Sequence, residues 1–332
     1  MAPTNQQFRL AARPQGNVKR EDFDFVEEPA GEPGEGEALV EIEYLSLDPA
    51  MRGWMNEGRS YVPPVGIGEV MRAGAVGRVV ASNGSKFAEG DHVSGMLGMQ
   101  RYAVTDGKGV TKVDPDLAPL PTYLGALGMP GMTAYFGLLE VGKPQEGDTV
   151  VVSGAAGAVG GLVGQNAKIK GARVIGIAGG PEKCAQVVDE LGFDACIDYK
   201  AGDVAGGLRE HCPDGINVYF DNVGGEILEA CLARLALHAR VVICGAISQY
   251  NATEPPKLAN YMALLVTRSS MTGIIVFDWA ARYREGAEQM AQWLSEGKIS
   301  AREHIVEGFE TFPETLQMLF TGKNDGKLVL KV

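Results

Sequence analysis

The chain lacks any uninterrupted apolar run of bilayer-spanning length. It also lacks a charged-then-apolar amino terminus, so neither a transmembrane helix nor a secretory signal is expected, and the protein is placed in the cytoplasm. Positive charge is in short supply: 30 Lys and Arg face 42 Asp and Glu, a net charge of −12 over 332 residues. That balance argues against non-specific binding to nucleic acid or anionic membranes, while leaving room for a local basic pocket that holds an anion. Cysteine is sparse. Cys184, Cys196, Cys212, Cys231 and Cys244 are odd in number and form no C-x-x-C, the pattern of reduced cytosolic thiols. The scattered histidines, His92, His211, His238 and His304, have no ligand spacing, so no metal site is expected. There is no G-x-S-x-G elbow, Walker loop or H-E-x-x-H to support hydrolase or phosphotransferase chemistry.

What is present fits a soluble globular protein with ample core, at 45% hydrophobic and 22% charged residues. The first ~120 residues are β-rich. "ALVEIEYLSLDP" alternates Val40, Ile42 and Tyr44 against Glu41 and Glu43, the period of a half-buried strand. "GAVGRVVASNGSKFAEGDHVSGM" predicts two strands around a loop holding Asn83, Gly84 and Gly90. A partly open antiparallel barrel follows from this pattern.

From Thr149 onward six apolar runs alternate with helical segments: "TVVVSG", "ARVIGIAGG", "ACIDY", "NVYFDNVGG", "ARVVICGAIS" and "MTGIIVF". Their continuous Val, Ile and Ala character is what a parallel sheet buried on both faces requires, so an α/β, doubly wound domain is predicted. Tyr283, Ala287, Met290, Ala291 and Leu294 share a helical face that stops near Gly297. The strand-like tail "GKLVLKV" is expected to rejoin the first domain. The expected division is 1–124, then 125–294, with 295–332 returning to the first domain.

In "SGAAGAVGGLVG" a G-x-G-x-x-G fingerprint stands with Ala155 in its first place, then Gly157 and Gly160. A small residue permits the tight turn, Gly157 admits a pyrophosphate to the backbone, and Gly160 lets helix and strand pack closely. The helix that follows offers its amino terminus to a phosphate. A turn that merely needs small residues is the alternative. After the second strand, where a carboxylate would hold both ribose hydroxyls, the chain has Ala178, Gly179 and Gly180. No acid repels a 2′-phosphate there, and Lys183 is spaced to pair with one, so NADP(H) is expected rather than NAD. A solvated lysine in a helix's first turn is the plainer account of that residue.

Without a metal, hydride delivery to a carbon–carbon double bond conjugated to a carbonyl fits best. Hydrogen-bond donors can stabilise the resulting oxyanion, and a tyrosine or water can supply the proton. Candidate tyrosines are Tyr61, Tyr250 and Tyr261, although a single tyrosine is more often a packing residue than a catalyst.

Taken together, "YLSLDPAMRG", "AEGDHV", "LGMPGMTAYFGLLEVG", "GAVGGLVGQNAKIKGARVIGIAGGPEKC", "FDNVGG", "CGAISQYNAT" and "LFTGKNDGKLVLKV" resemble the zinc-free medium-chain dehydrogenase/reductase superfamily. Within it the likeness is to the leukotriene B4 dehydrogenase/prostaglandin reductase and alkenal double-bond reductase group, nearest the bacterial curcumin reductase branch. The resemblance implies a GroES-like β-barrel domain into which a Rossmann domain is inserted, a homodimer, and a small hydrophobic, electrophilic substrate. It implies that Gly157, Ala158, Val159 and Gly160 hold the pyrophosphate, and that Lys183 and Tyr199 hold the 2′-phosphate. Asn222 would lie beside the cofactor, and Asn324 would reach it from the tail. Cys244, Gly245, Ala246, Ile247, Ser248 and Tyr250, with Ile274, Ile275 and Val276, would line the nicotinamide side. The implied activity is NADPH-dependent reduction of α,β-unsaturated ketones or aldehydes. A quinone reductase or allylic alcohol dehydrogenase is the nearest rival, and a non-catalytic NADPH-binding sensor or scaffold the rival of another class. Ala50 stands where the family often has an aromatic residue, a change expected to reshape the substrate mouth.

Overall fold

The computed structural model describes residues 3–254 and 257–332. Following the chain, β1 (Thr4–Leu10) pairs antiparallel with β2 (Phe23–Pro29). Next come β3 (Glu37–Ser46), the short helix α1 (Ala50–Trp54), β4 (Ala75–Asn83), β5 (His92–Gly95), β6 (Tyr102–Thr105) and β7 (Thr111–Val113). In β3, Val40 and Ile42 are buried as the alternation requires. Register shifts against β4 at Leu39/Val40 and Ile42/Tyr44 then change the phase. Leu45 enters the main core instead, while Tyr44 packs on a separate small cluster with Val76, Val113 and Leu124. The β4–β5 connection turns at Gly84 and Gly90, whose φ of +71° and +90° suit glycine.

A second unit comprises Gly125–Arg302 and Asp325–Lys327. After α2 (Met129–Phe136) its elements are β8 (Thr149–Ser153), α3 (Ala158–Ile169), β9 (Arg173–Ala178), α4 (Pro181–Asp189), β10 (Ala195–Asp198), α5 (Val204–His211), β11 (Ile216–Asp221), α6 (Gly225–Leu232), β12 (Leu235–Ile243), α7 (Met262–Thr267), β13 (Ser270–Gly273) and α8 (Tyr283–Ser295). The six strands run parallel in the order β10-β9-β8-β11-β12-β13, the doubly wound Rossmann arrangement. Val150, Val151 and Val152 are all fully buried because helices cover both faces. Side chains of α2, α3, α4 and α8 fill one core layer, and those of α5, α6 and α7 the other.

Helix α8 forms as predicted, with Gly297 (φ +65°) just past its end, but its buried centre is Gly286, Met290 and Trp293. A Cβ on Gly286 would come within 2.7 Å of the Met132 sulfur, so α8 meets α2 at a glycine. Residues 295–302 stay with this unit, since Ile299 lies in its core and the Ser300 amide donates to Gln165 Oε1 at 2.7 Å. The return to the first unit comes at Glu303, later than expected.

There β14 (Glu303–Glu307), α9 (Phe312–Thr321) and β15 (Lys327–Lys331) complete the chain. β15 pairs antiparallel with β3, with Val329 opposite Ser46. The resulting sheet runs β14-β15-β3-β4-β5-β7, with β6 also on β3. Neither β14 nor α9 was expected from the sequence. Phe312 of α9 is held by ring contacts with Phe8 and Phe23, some three hundred residues earlier in the chain.

Candidate functional site

In a doubly wound sheet, the crevice outside the carboxyl ends of the strands where the order reverses is the ligand site; here that lies between β8 and β11. The turn leaving β8 corrects one detail. Its left-handed residue is Gly154 (φ +62°), not Ala155, which is fully buried with its amide donating to the Ile177 carbonyl at 3.1 Å. Gly160 is needed for packing, because a Cβ there would drive into the Gly154 carbonyl. Gly157 is the N-cap of α3, and Ala158 and Val159 open the helix with no side chain capping the first turn. A helix start without a side-chain cap is the kind of place where first-turn amides hold an anion.

At the end of β9, Gly180 (φ +100°) has open space where a Cβ would stand. A Cβ on Gly179 would lie 2.8 Å from the Tyr199 ring, so that ring packs directly over Gly179. Gly180 is the N-cap of α4, again with no side-chain cap, and Lys183 is the third residue of the helix. Burial pushes the Lys183 ammonium below the usual lysine range, Asp325 pulls it back up, and Lys200 lowers it further. A half-buried cation just past a glycine turn suits a phosphate, and these residues fit the adenosine end of a dinucleotide. A carboxylate does stand nearby, which the sequence order concealed. Asp198 ends the neighbouring strand in register with Ala178, and its Oδ1 accepts from Gly180 N (2.7 Å) and Lys200 N (2.9 Å). It shapes the turn from the side.

The β11 end carries more than its sequence shows. Asp221, wholly buried, accepts four hydrogen bonds at Oδ1: from Ser153 Oγ (2.9 Å), Tyr219 Oη (2.7 Å), Val223 N (3.0 Å) and Gly224 N (2.9 Å). Burial above all holds the Tyr219 phenol well above its usual range, so it stays a donor. Ser153 Oγ in turn accepts from Asn222 N at 2.9 Å, and Asn222 Nδ2 donates to Ser153 O at 2.8 Å. One carboxylate thus ties the ends of β8 and β11 together and aims Asn222 at the turn. Asp221 sits inside the quoted "FDNVGG", but its partner Ser153 is 68 residues away, and nothing local announces the pairing.

The loop after β12 folds back on this junction. Cys244 N and Gly245 N donate to Asp221 O, Ile247 N to Asn222 O, and Ser248 N to Val223 O. Burial, then Asp221, pushes the Cys244 thiol up to about 12, so it carries no thiolate chemistry. Tyr250 returns across the loop, its hydroxyl accepting from Ala246 N at 3.2 Å. Ile274 and Val276 are buried core residues, Ile274 close to Phe220 at the Gly137 contact, while Ile275 between them is half-buried. Tyr261 is 56% exposed at the start of α7. Tyr61 and Asn324 belong to the first unit, where the Tyr61 hydroxyl accepts from Trp54 Nε1 at 2.9 Å. Among the described residues, no group of three or more His, Cys, Asp or Glu is placed to hold a metal ion.

Residues 6–113 match the family model described as the N-terminal domain of oxidoreductase, and residues 158–296 the one described as zinc-binding dehydrogenase. The chain is 45% identical to the NADPH-dependent curcumin reductase of Escherichia coli (strain K12), over 99% of this chain and 97% of that protein. It is 41% identical to the 2-alkenal reductase (NADP(+)-dependent) of Nicotiana tabacum, over 90% and 88%. The crystal structure of CurA from Vibrio vulnificus in complex with NADPH superposes with a TM-score of 0.94 at 47% identity, covering 98% of this chain and 99% of that one.

Proposed function

Because the chain belongs to the medium-chain dehydrogenase/reductase superfamily, we propose that it uses NADPH to reduce the carbon–carbon double bond of α,β-unsaturated ketones and aldehydes. The observation that carries the cofactor choice is Lys183, half-buried in the uncapped first turn of α4 beyond Gly179–Gly180. NADPH, when bound, supplies the hydride. The chain's own groups do the rest. The first-turn amides of α3 bind the pyrophosphate, Lys183 and Tyr199 the 2′-phosphate, and Asn222 and the 244–248 loop the nicotinamide end. The Tyr250 phenol, oriented by the Ala246 amide, is the proton donor among the three candidate tyrosines. The reading calls for no metal, since hydrogen-bond donors can stabilise the developing oxyanion.

The test is NADPH consumption with an enone or a quinone, and NADP reduction with an allylic alcohol, with the products identified. Formation of the saturated carbonyl compound from the enone is expected; turnover of quinones alone would sink the proposal. All five cysteines are free thiols, which supports a reducing, cytoplasmic setting, and no helix among the described residues is long and apolar enough to cross a membrane. We further assign a homodimer, joined at β13. That strand is one edge of the sheet, and the helix before it exposes Met262, Leu265 (68%) and Val266 (70%), an apolar surface suited to a second copy.

A further inference from the structure

Asp325 is used by no step of the proposed reaction, yet it is held with care beside the Lys183 helix. Segment 325–327 belongs to the nucleotide-binding unit, although the residues on both sides belong to the other. Gly326 bridges in parallel to Gly157, the N-cap of α3, and Lys327 N donates to Arg302 O at 2.8 Å. Gly326 has φ +74°, and a Cβ there would collide with the Arg302 carbonyl, so the tail reaches this place only as glycine. Asp325 Oδ1 then accepts from Gln186 Nε2 at 2.7 Å, and Oδ2 from Arg302 Nη1 at 2.6 Å. Gln186 lies one turn of α4 beyond Lys183, which fixes the carboxylate on that side of the helix. Arg302 Nη2 pairs with Glu190 at 2.8 Å.

We propose that Asp325, positioned by Arg302 and Gln186, is a specificity-determining residue that restrains the grip of Lys183 on a 2′-phosphate. The inference rests on the NADPH site assigned above. Lys183, Lys200 and Arg302 are partly offset in charge by Asp325 and Glu190, so an incoming dianion meets a less positive cluster than the cations alone would make. Asp325 and Arg302 are each nearly half exposed, so the effect is damped by solvent but sits within a Debye length of the phosphate. Such restraint keeps the oxidised dinucleotide from being retained after turnover.

Titrations of NADPH, NADP and NADH against the intact protein test this. Asp325→Asn should tighten NADPH and NADP about three- to tenfold, the scale of one unit charge against a dianion at high effective dielectric, and leave NADH unchanged. Arg302→Gln, which removes one of the cations facing Asp325, should weaken NADPH by a similar factor, again sparing NADH. Both effects should shrink at high salt. A purely structural role for the segment would make both variants weaker for both nucleotides; that result, or no change in Asp325→Asn, overturns the inference. Lys183→Ala separates the two levels. If it weakens NADPH and NADH equally, the 2′-phosphate site itself is misplaced. If it is selective for NADPH while Asp325→Asn has no effect, only the role of Asp325 falls.

Discussion

Replacing Lys183 by alanine removes the one cation that the α4 turn presents from a half-buried position. A charge-assisted hydrogen bond to a phosphate contributes about 1.5–3 kcal/mol. The ammonium already bears its desolvation cost in the free protein, so binding does not pay it again. The loss should therefore be about 1.5–3 kcal/mol, or roughly 10- to 150-fold in NADPH affinity. NADH, which has nothing at the 2′ position for Lys183 to bind, should be nearly unaffected. Fluorescence titration of both nucleotides reads the ratio directly. The same group sets a pH dependence. Only the protonated amine attracts the phosphate, and burial lowers the pH at which the free protein loses that proton. NADPH affinity should thus decline with rising pH before the ordinary lysine pKa of about 10.4 is reached, while NADH affinity stays level. Equal loss for both nucleotides, or a pH-independent NADPH affinity up to that value, would refute the placement of the phosphate.

Tyr250→Phe keeps the ring but removes the hydroxyl that Ala246 N addresses, and kcat with an enone should drop about 10²-fold or more with NADPH affinity little changed; a drop below threefold moves the proton-donor assignment to Tyr61 or Tyr261. Gly160→Ala forces a methyl against the Gly154 carbonyl, so thermal unfolding should show a loss of about 1–3 kcal/mol, and NADPH and NADH should weaken together. An unchanged melting curve would mean the turn is looser than its geometry indicates. Leu265→Glu places a carboxylate on the exposed face of α7, and light scattering should then report a monomer of 35.2 kDa where the native protein is expected to be a dimer. A monomeric native protein would remove the proposed interface.

Periodicity made the six parallel strands legible, because a strand buried on both faces must be apolar throughout, and Val150 to Val152 are. It also gave β15 and most of α8, whose face was read one step off centre because Gly286 and Trp293 do not look like a matched pair. Helix α9 and strand β14 escaped notice, since they are held by residues from the opposite end of the chain, such as Phe8 and Phe23. At the site, Gly157, Gly160, Gly179, Gly180 and Lys183 were readable from local spacing. Asp198, Ser153, Tyr219 and Asp325 were not.

The difference is one of range. A turn's glycines and a helix's first residues are dictated by backbone conformation over a few positions, so the sequence alone determines the two helix starts without side-chain caps and the lack of an acid directly after β9. Folding alone decides which distant groups share a carboxylate or a charge. It set Asp221 under residues from β8 and β11, laid Asp198 beside a turn in another strand, and carried Asp325 from the tail to the Lys183 helix. Hydrogen bonds and Coulomb forces act through space, and no pattern along the chain records which partners it will bring together.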